Sequence, residues 1–172
     1  MAINYPNGSI TSAVLQVVSG ASGSYTTHSS NVWGYAPCDV GITPQSTANK
    51  IMLIATGLYW CNTANEQTLK LRRYDNSSWS DITHGTATID HANRGGPFGN
   101  HQTGSGGWEA QGYALIGMDE PNTTSQRWYR AWGQTREGSG ASNRWYWNRG
   151  WTTSGNDSFS GMNHILALEI EG

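Results

Sequence analysis

A chain of 172 residues is long enough for one domain with a substantial core. Its net charge of −2 and pI near 6.2 lack the basic surplus that phosphate neutralisation requires, which argues against nucleic-acid binding. Only 13% of residues are charged, against a usual quarter, while Gly, Ser, Thr and Asn abound and lysine occurs only at Lys50 and Lys70, so strands joined by polar turns are favoured over helices.

The start, MAINYPNGSITSAV, has neither the charged nor the apolar region of a secretory signal. No apolar run approaches the length of a membrane-crossing helix, so no membrane insertion is expected. Residues 1–11 read as a polar N-terminal arm, and 12–172 as the domain. SAVLQVV (12–18) predicts a strand, and 19–34 a loop or weak strands. DVGIT (39–43) predicts a short strand stopped by Pro44. NKIMLIATGLYWC (49–61) is the longest apolar segment, near-continuous over Ile51–Ala55, as in a strand covered on both faces.

TLKLRRY (68–74) sets Leu69, Leu71 and Arg73 against Lys70, Arg72 and Tyr74, the alternation of a half-exposed strand. SWSDIT resumes pairing after a turn at Asp75–Asn76. HGTATIDHANRGGPFGNHQTGSGG (84–107) breaks the rhythm as a long glycine-rich loop, either functional or plain surface. WEAQGYALIGMD (108–119) alternates again before the turn 120–125. HILALEIE (164–171) closes the domain, with Leu166, Leu168 and Ile170 expected in the core and Ala167, Glu169 and Glu171 opposite them. Eight to ten strands with frequent turn signals predict a sandwich, jelly roll or barrel.

The segment Arg127–Trp151, RWYRAWGQTREGSGASNRWYWNRGW, carries five of the nine Trp and five Arg. Read as a hairpin, its first strand puts Trp128, Arg130, Trp132 and Gln134 on one face. Its second puts Trp145, Trp147, Arg149 and Trp151 on one face, and the mates would stack as a Trp/Arg ladder. Such a face suits the opposite sheet, a subunit seam, or a sugar platform in which indoles stack on the ring and guanidinium groups bond hydroxyls.

The catalytic motifs that sequence can carry do not occur. His28, His84, His91, His101 and His164 lack metal-ligand spacing, and no G-x-S-x-G, P-loop or paired-carboxylate arrangement stands out. The expectation is therefore no enzyme, no cofactor and no metal. Cys38 and Cys61 show no zinc or redox spacing and are expected as free thiols.

Three segments resemble a module of virion proteins from tailed bacteriophages. They are the opening strand Val14–Val18, then Thr43, Pro44, Ser46, Lys50 and Ile51 of a T-P-x-S-x-x-x-K-I pattern, and finally Leu168, Glu169 and Ile170. The likeness covers about a third of the chain and leaves residues 57–163 unmatched. It implies a jelly-roll-like antiparallel β-sandwich, all-β and single-domain, assembled as a homotrimer on the particle. The setting would be a capsid decoration, a capsid-fibre head or a tail-fibre head. It implies no cofactor and no catalytic residues. With about eleven residues before the first strand, a stand-alone knob is expected, its arm docking on other virion proteins of the capsid or tail. It would be assembled in the host cytoplasm, with a host-surface glycan as possible partner. The alternative is a carbohydrate-binding receptor module using Trp128, Arg130, Trp132, Trp145, Trp147 and Arg149.

Overall fold

Alternating side chains dictate two-faced strands, and the backbone follows them. The computed structural model describes residues 4–5, 8–9, 13–29, 32–61, 67–84, 111–135, 144–148 and 161–172; these contain no helix. The expected loop 84–107 lies outside them beyond His84. Within the expected arm, β1 (Asn4–Tyr5) pairs antiparallel with β2 (Gly8–Ser9). Then come β3 (Val14–Ser22), β4 (Thr26–Ser29), β5 (Gly34–Ile42), β6 (Lys50–Cys61), β7 (Gln67–Tyr74) and β8 (Trp79–Asp81). They are followed by β9 (Gln111–Asp119), β10 (Arg127–Thr135), β11 (Arg144–Trp147) and β12 (Asn163–Ile170).

One sheet runs β5-β10-β7-β8. The other runs β3-β12-β6-β9, with β11 and β4 extending it beside the far end of β6. All these pairings are antiparallel. These two orders are those of a jelly roll, in which Greek-key connections send most successive strands to alternate sheets, the β7–β8 hairpin being an exception. The protein is an all-β antiparallel sandwich of one domain, and a single cluster of buried residues fills it.

β5 begins at Gly34, five residues ahead of the strand expected at 39–43, and Pro37 lies inside it. An edge strand tolerates this, because the missing N–H faces no neighbour. The ladder also slips here: Arg130 pairs with Asp39 but Trp132 with Tyr35, so three residues around Pro37 bulge opposite Ala131.

The core-facing rows of the larger sheet can be read across its strands. Ile165, Ala55 and Leu115 form one row, and Ala167, Leu53 and Gly117 the next. The row at one end is Gln16, Glu169, Ile51 and Asp119. At the other end Asn163, Gly57 and Tyr113 align, and the Tyr113 hydroxyl donates to Asn163 Oδ1 (2.9 Å) across the glycine. A Cβ at Gly57 would collide with that amide oxygen, so only glycine fits.

This reverses the expected orientation of β12. Ile165, Ala167 and Glu169 are buried, while Leu166, Leu168 and Ile170 point outward and are half-buried. The cause is Glu169, whose carboxylate is fully buried among donors. It accepts from Gln16 Nε2, the Gln45 backbone N–H and Asn49 Nδ2, each at 2.6 Å. Burial alone would raise its pKa. Hydrogen bonds from Asn49, Gln16 and the backbone of Gln45 and Ser46 reverse that and hold it below the ordinary value. The three segments that carry the phage-module resemblance thus meet at one carboxylate: β3 through Gln16, the 43–50 turn through Gln45 and Asn49, and the closing strand through Glu169 itself.

Asp119, also fully buried, closes the other side of the same end. It accepts from Arg73 Nη1 (3.0 and 2.9 Å), the Tyr129 hydroxyl (2.8 Å), and the backbone N–H and hydroxyl of Thr83. Arg73 and Tyr129 belong to the opposite sheet, so this cluster bolts the two layers together. Cys38 is a buried free thiol, and burial together with nearby Asp39 raises its pKa.

Glu169 titrates lower in the folded than in the unfolded chain. Its contribution to stability is therefore complete above its ordinary pKa of 4.5 and is lost as pH falls through the lower folded value. Glu169→Gln, which sets an amide N–H against donors, is expected to cost about 3 kcal/mol at pH 7. That difference narrows below pH 4.5 as the wild-type carboxyl takes up its proton, and denaturant unfolding across pH 3–7 would measure it.

Candidate functional site

The outward positions of β5, β10, β7 and β8 share one surface, and their register arranges them in three rows. Gly41, Trp128, Tyr74 and Trp79 align in the first. Asp39, Arg130, Arg72 and Asp81 align in the second. Tyr35, Trp132 and Lys70 align in the third. Aromatic rows therefore bracket a charged row ordered acid, base, base, acid.

The rings and guanidinium groups interlock across these rows. Arg130 lies between two rings, 4.6 Å from the Tyr35 centroid and 5.1 Å from Trp79. Arg72 sits 4.9 Å from Trp132, and Lys70 4.2 Å from Trp33. Trp79 packs against Trp132 (5.6 Å) and Tyr74 (5.3 Å), and Tyr35 against Trp132 (5.7 Å). Each cation also meets a carboxylate. Arg130 pairs with Asp39, and Lys70 (2.8 Å) and Arg72 (3.2 Å) share Asp81. Arg72 also donates to the Trp79 carbonyl.

Trp128 stands at one end of this surface and is 38% exposed. A Cβ at Gly41 would meet three atoms of its six-membered ring at nearly equal distances of 3.0–3.1 Å, so the indole lies flat over the glycine with its other face outward. Tyr35, 41% exposed, stands at the opposite end.

The phase expected for the first aromatic strand is borne out: Trp128, Arg130 and Trp132 share a face, and Tyr129 and Ala131 are buried behind them. The expected hairpin is not formed. β10 lies between β5 and β7, whereas β11 lies between β6 and β4 in the other sheet. The Trp/Arg ladder therefore does not run from β10 to β11, and its face looks outward, away from the opposite sheet.

Trp147 is fully buried, packed edge-on against Tyr113 (5.2 Å), and offers no surface. Arg149 and the side chain of Trp145 lie outside the described residues. The mates that β10 does find are Tyr35, Lys70, Arg72, Tyr74 and Trp79. Three of these, Lys70, Arg72 and Tyr74, were legible as one phase of the half-exposed strand TLKLRRY.

No model of a known protein family and no curated protein matches this chain. The reading of its surfaces therefore rests on their chemistry alone. Among the described residues no group of three or more His, Cys, Asp or Glu could hold a metal ion.

A second outward face has different chemistry. On the β3-β12-β6-β9 sheet, Val17, Leu168, Met52 and Met118 form one row, and Ser19, Leu166, Ile54 and Ile116 the next. Val17 is 57% and Ile116 52% exposed. Among the described residues, charges appear only at its rim, where Lys50 pairs with Glu120 (2.9 Å).

Arg130 tests the aromatic surface as a mechanical unit. Arg130→Ala loses two cation–π contacts and an ion pair, and is expected to lower unfolding stability by about 1–2 kcal/mol. Arg130→Lys should recover under half of that, because an ammonium is a point charge and cannot lie flat between two rings. Urea titration of the three proteins measures both.

Proposed function

We propose that this protein is a structural component of a tailed-phage virion: a jelly-roll knob that assembles with copies of itself, as a homotrimer, and is displayed on the capsid or tail. It works by assembly and adhesion, without catalysis. The observation that carries the reading is the aliphatic outer face of the β3-β12-β6-β9 sheet. Contiguous apolar side chains on an outer sheet face, Val17 and Ile116 more than half exposed among them, mark an interaction site, and a face without interior charges suits burial against another subunit. Closed rotational symmetry is the usual outcome for copies of one chain, and three-fold closure follows the module that the chain resembles. The convergence of the resembling segments on Glu169 supports that likeness, because they form one physical unit rather than scattered matches.

In this arrangement the knob sits as a capsid decoration or capsid-fibre head, or as a tail-fibre head, with the N-terminal arm docking on other virion proteins. The aromatic–guanidinium face of the other sheet remains outward, and its exposed rings favour a second role in adhesion to a host-surface glycan.

Light scattering or sedimentation at micromolar concentration should give three times the chain mass, and a stable wild-type monomer would overturn the assembly. Val17→Asp and Ile116→Asp each place an unpaired carboxylate in the contact. Each is expected to weaken association by about 2 kcal/mol per contact, roughly thirtyfold in Kd, while leaving the far-UV spectrum unchanged. Labelling of intact particles with antibody against the knob then separates capsid from tail.

A further inference from the structure

We infer that the outer face of the β5-β10-β7-β8 sheet is a binding site for a neutral oligosaccharide, with Trp128 and Tyr35 as its two stacking surfaces and the Asp39–Arg130–Arg72–Asp81 row as its hydroxyl-bonding floor. The inference rests on the adhesion reading of this face, and it names the ligand class. Three observations lead to it.

The first is the supply of exposed, immobilised rings. Trp128 is held flat on Gly41, and Tyr35 is braced by Trp132 and Arg130. Each presents more than a third of its surface to solvent. Rings fixed before binding lose little freedom on contact, which is the condition under which stacking yields affinity. The C–H face of a pyranose is an apolar, slightly positive surface that matches the negative face of an aromatic ring.

The second is charge. Arg130, Arg72 and Lys70 each already have a carboxylate partner, and Asp39 and Asp81 themselves remain 39% and 44% exposed at the side chain. An anionic ligand would have to displace those carboxylates and would meet them as like charges. A neutral polyol does not compete with the ion pairs. Its hydroxyls donate to the free lone pairs of Asp39 and Asp81, which can each accept several bonds, and accept from guanidinium N–H groups. The alternation of acceptor and donor groups along one row suits a ligand bearing both.

The third is length. Trp128 and Tyr35 lie at opposite ends of the surface, with Tyr35 beside Trp132, four residues along β10 from Trp128. That is roughly 13 Å of strand. One sugar ring cannot reach both, so the site takes a chain of sugars rather than a monosaccharide.

The test is calorimetric titration of the whole protein with cellohexaose, maltohexaose, mannohexaose and chitohexaose, with their monosaccharides, and with hexagalacturonate as the acidic comparator. At least one neutral hexasaccharide should bind, and bind more tightly than its monosaccharide and than hexagalacturonate. Trp128→Ala should weaken that binding about tenfold or more, the expected loss for one anchoring ring, and Trp128→Phe should restore most of it. No binding by any neutral hexasaccharide, a preference for hexagalacturonate, or affinity unchanged in Trp128→Ala would each overturn the inference. Mass measurement on the same samples separates the two proposals. A trimer that binds no sugar removes the glycan site and leaves assembly standing. A monomer that binds does the reverse. Loss of the trimer in Trp128→Ala would mark this face as a subunit contact and overturn the site.

Discussion

The interaction on which the rest of the structure depends is the pair of buried carboxylates at one end of the sandwich. Glu169 and Asp119 flank Ile51 on a single core-facing row. A buried charge is costly unless every lone pair is answered, so each carboxylate dictates the position of whatever answers it. Glu169 draws in β3 and the turn between β5 and β6. Asp119 draws in β7, β10 and the segment just after β8 through Arg73, Tyr129 and Thr83. Between them they fix which strands enter that end of the sandwich and in which layer, and they fix the phase of every strand they touch. With Glu169 inside, Ile165 and Ala167 must also be inside, and the larger Leu166, Leu168 and Ile170 must be outside.

That explains why the periodicity of β12 was legible and its orientation was not. Alternation in HILALEIE separates two sets of residues but does not say which set is the core. The usual assignment puts leucine in and glutamate out, and it fails where a carboxylate has hydrogen-bond donors waiting inside. Those donors, Gln16, Gln45 and Asn49, are over a hundred residues away in sequence, and no local window contains them. The division of β10 and β7 into two faces could be read directly from rows of Trp, Arg and Lys set against Leu, Tyr and Ala, but whether the Trp/Arg face of β10 met the opposite sheet or looked outward could not. Nor could the pairing partner of β10. Two aromatic strands separated by a glycine-rich connection look like a hairpin, whereas here the chain passes from β10 in one sheet to β11 in the other. The expected fold class, a jelly-roll-like sandwich, agrees with that topology where the local hairpin pattern does not.

A sandwich has two inner faces that must match each other and two outer faces that need not. Here the outer faces diverge about as far as composition allows. One is aliphatic, with charge only at its rim. The other alternates aromatic and ion-paired rows. Their demands on water are opposite, so they suit different partners. The aliphatic face gains most from complete burial, as in contact between subunits. The aromatic face pairs its charged groups with one another in place, and those partly exposed ion pairs suit continued contact with water.

The low number of lysines sharpens that distinction. Arginine supplies eight of the ten basic residues, and on the aromatic face Arg72 and Arg130 serve as structural spacers between rings. A guanidinium can lie flat against an indole and bond a carboxylate at its edge at the same time, which an ammonium cannot. The guanidinium groups sit among rings that also touch one another, Trp132 contacting both Trp79 and Tyr35, and Trp128 and Tyr35 stay more than a third exposed at the two ends. The same ion pairs that hold the rings cancel the field an anion would follow. What the arginine-rich composition produces on this surface is rigidity with little net attraction for phosphate. A stretch so rich in Arg and Trp is thus divided by the fold between two sheets, and the part on β10 presents guanidinium groups already paired with carboxylates and braced by rings.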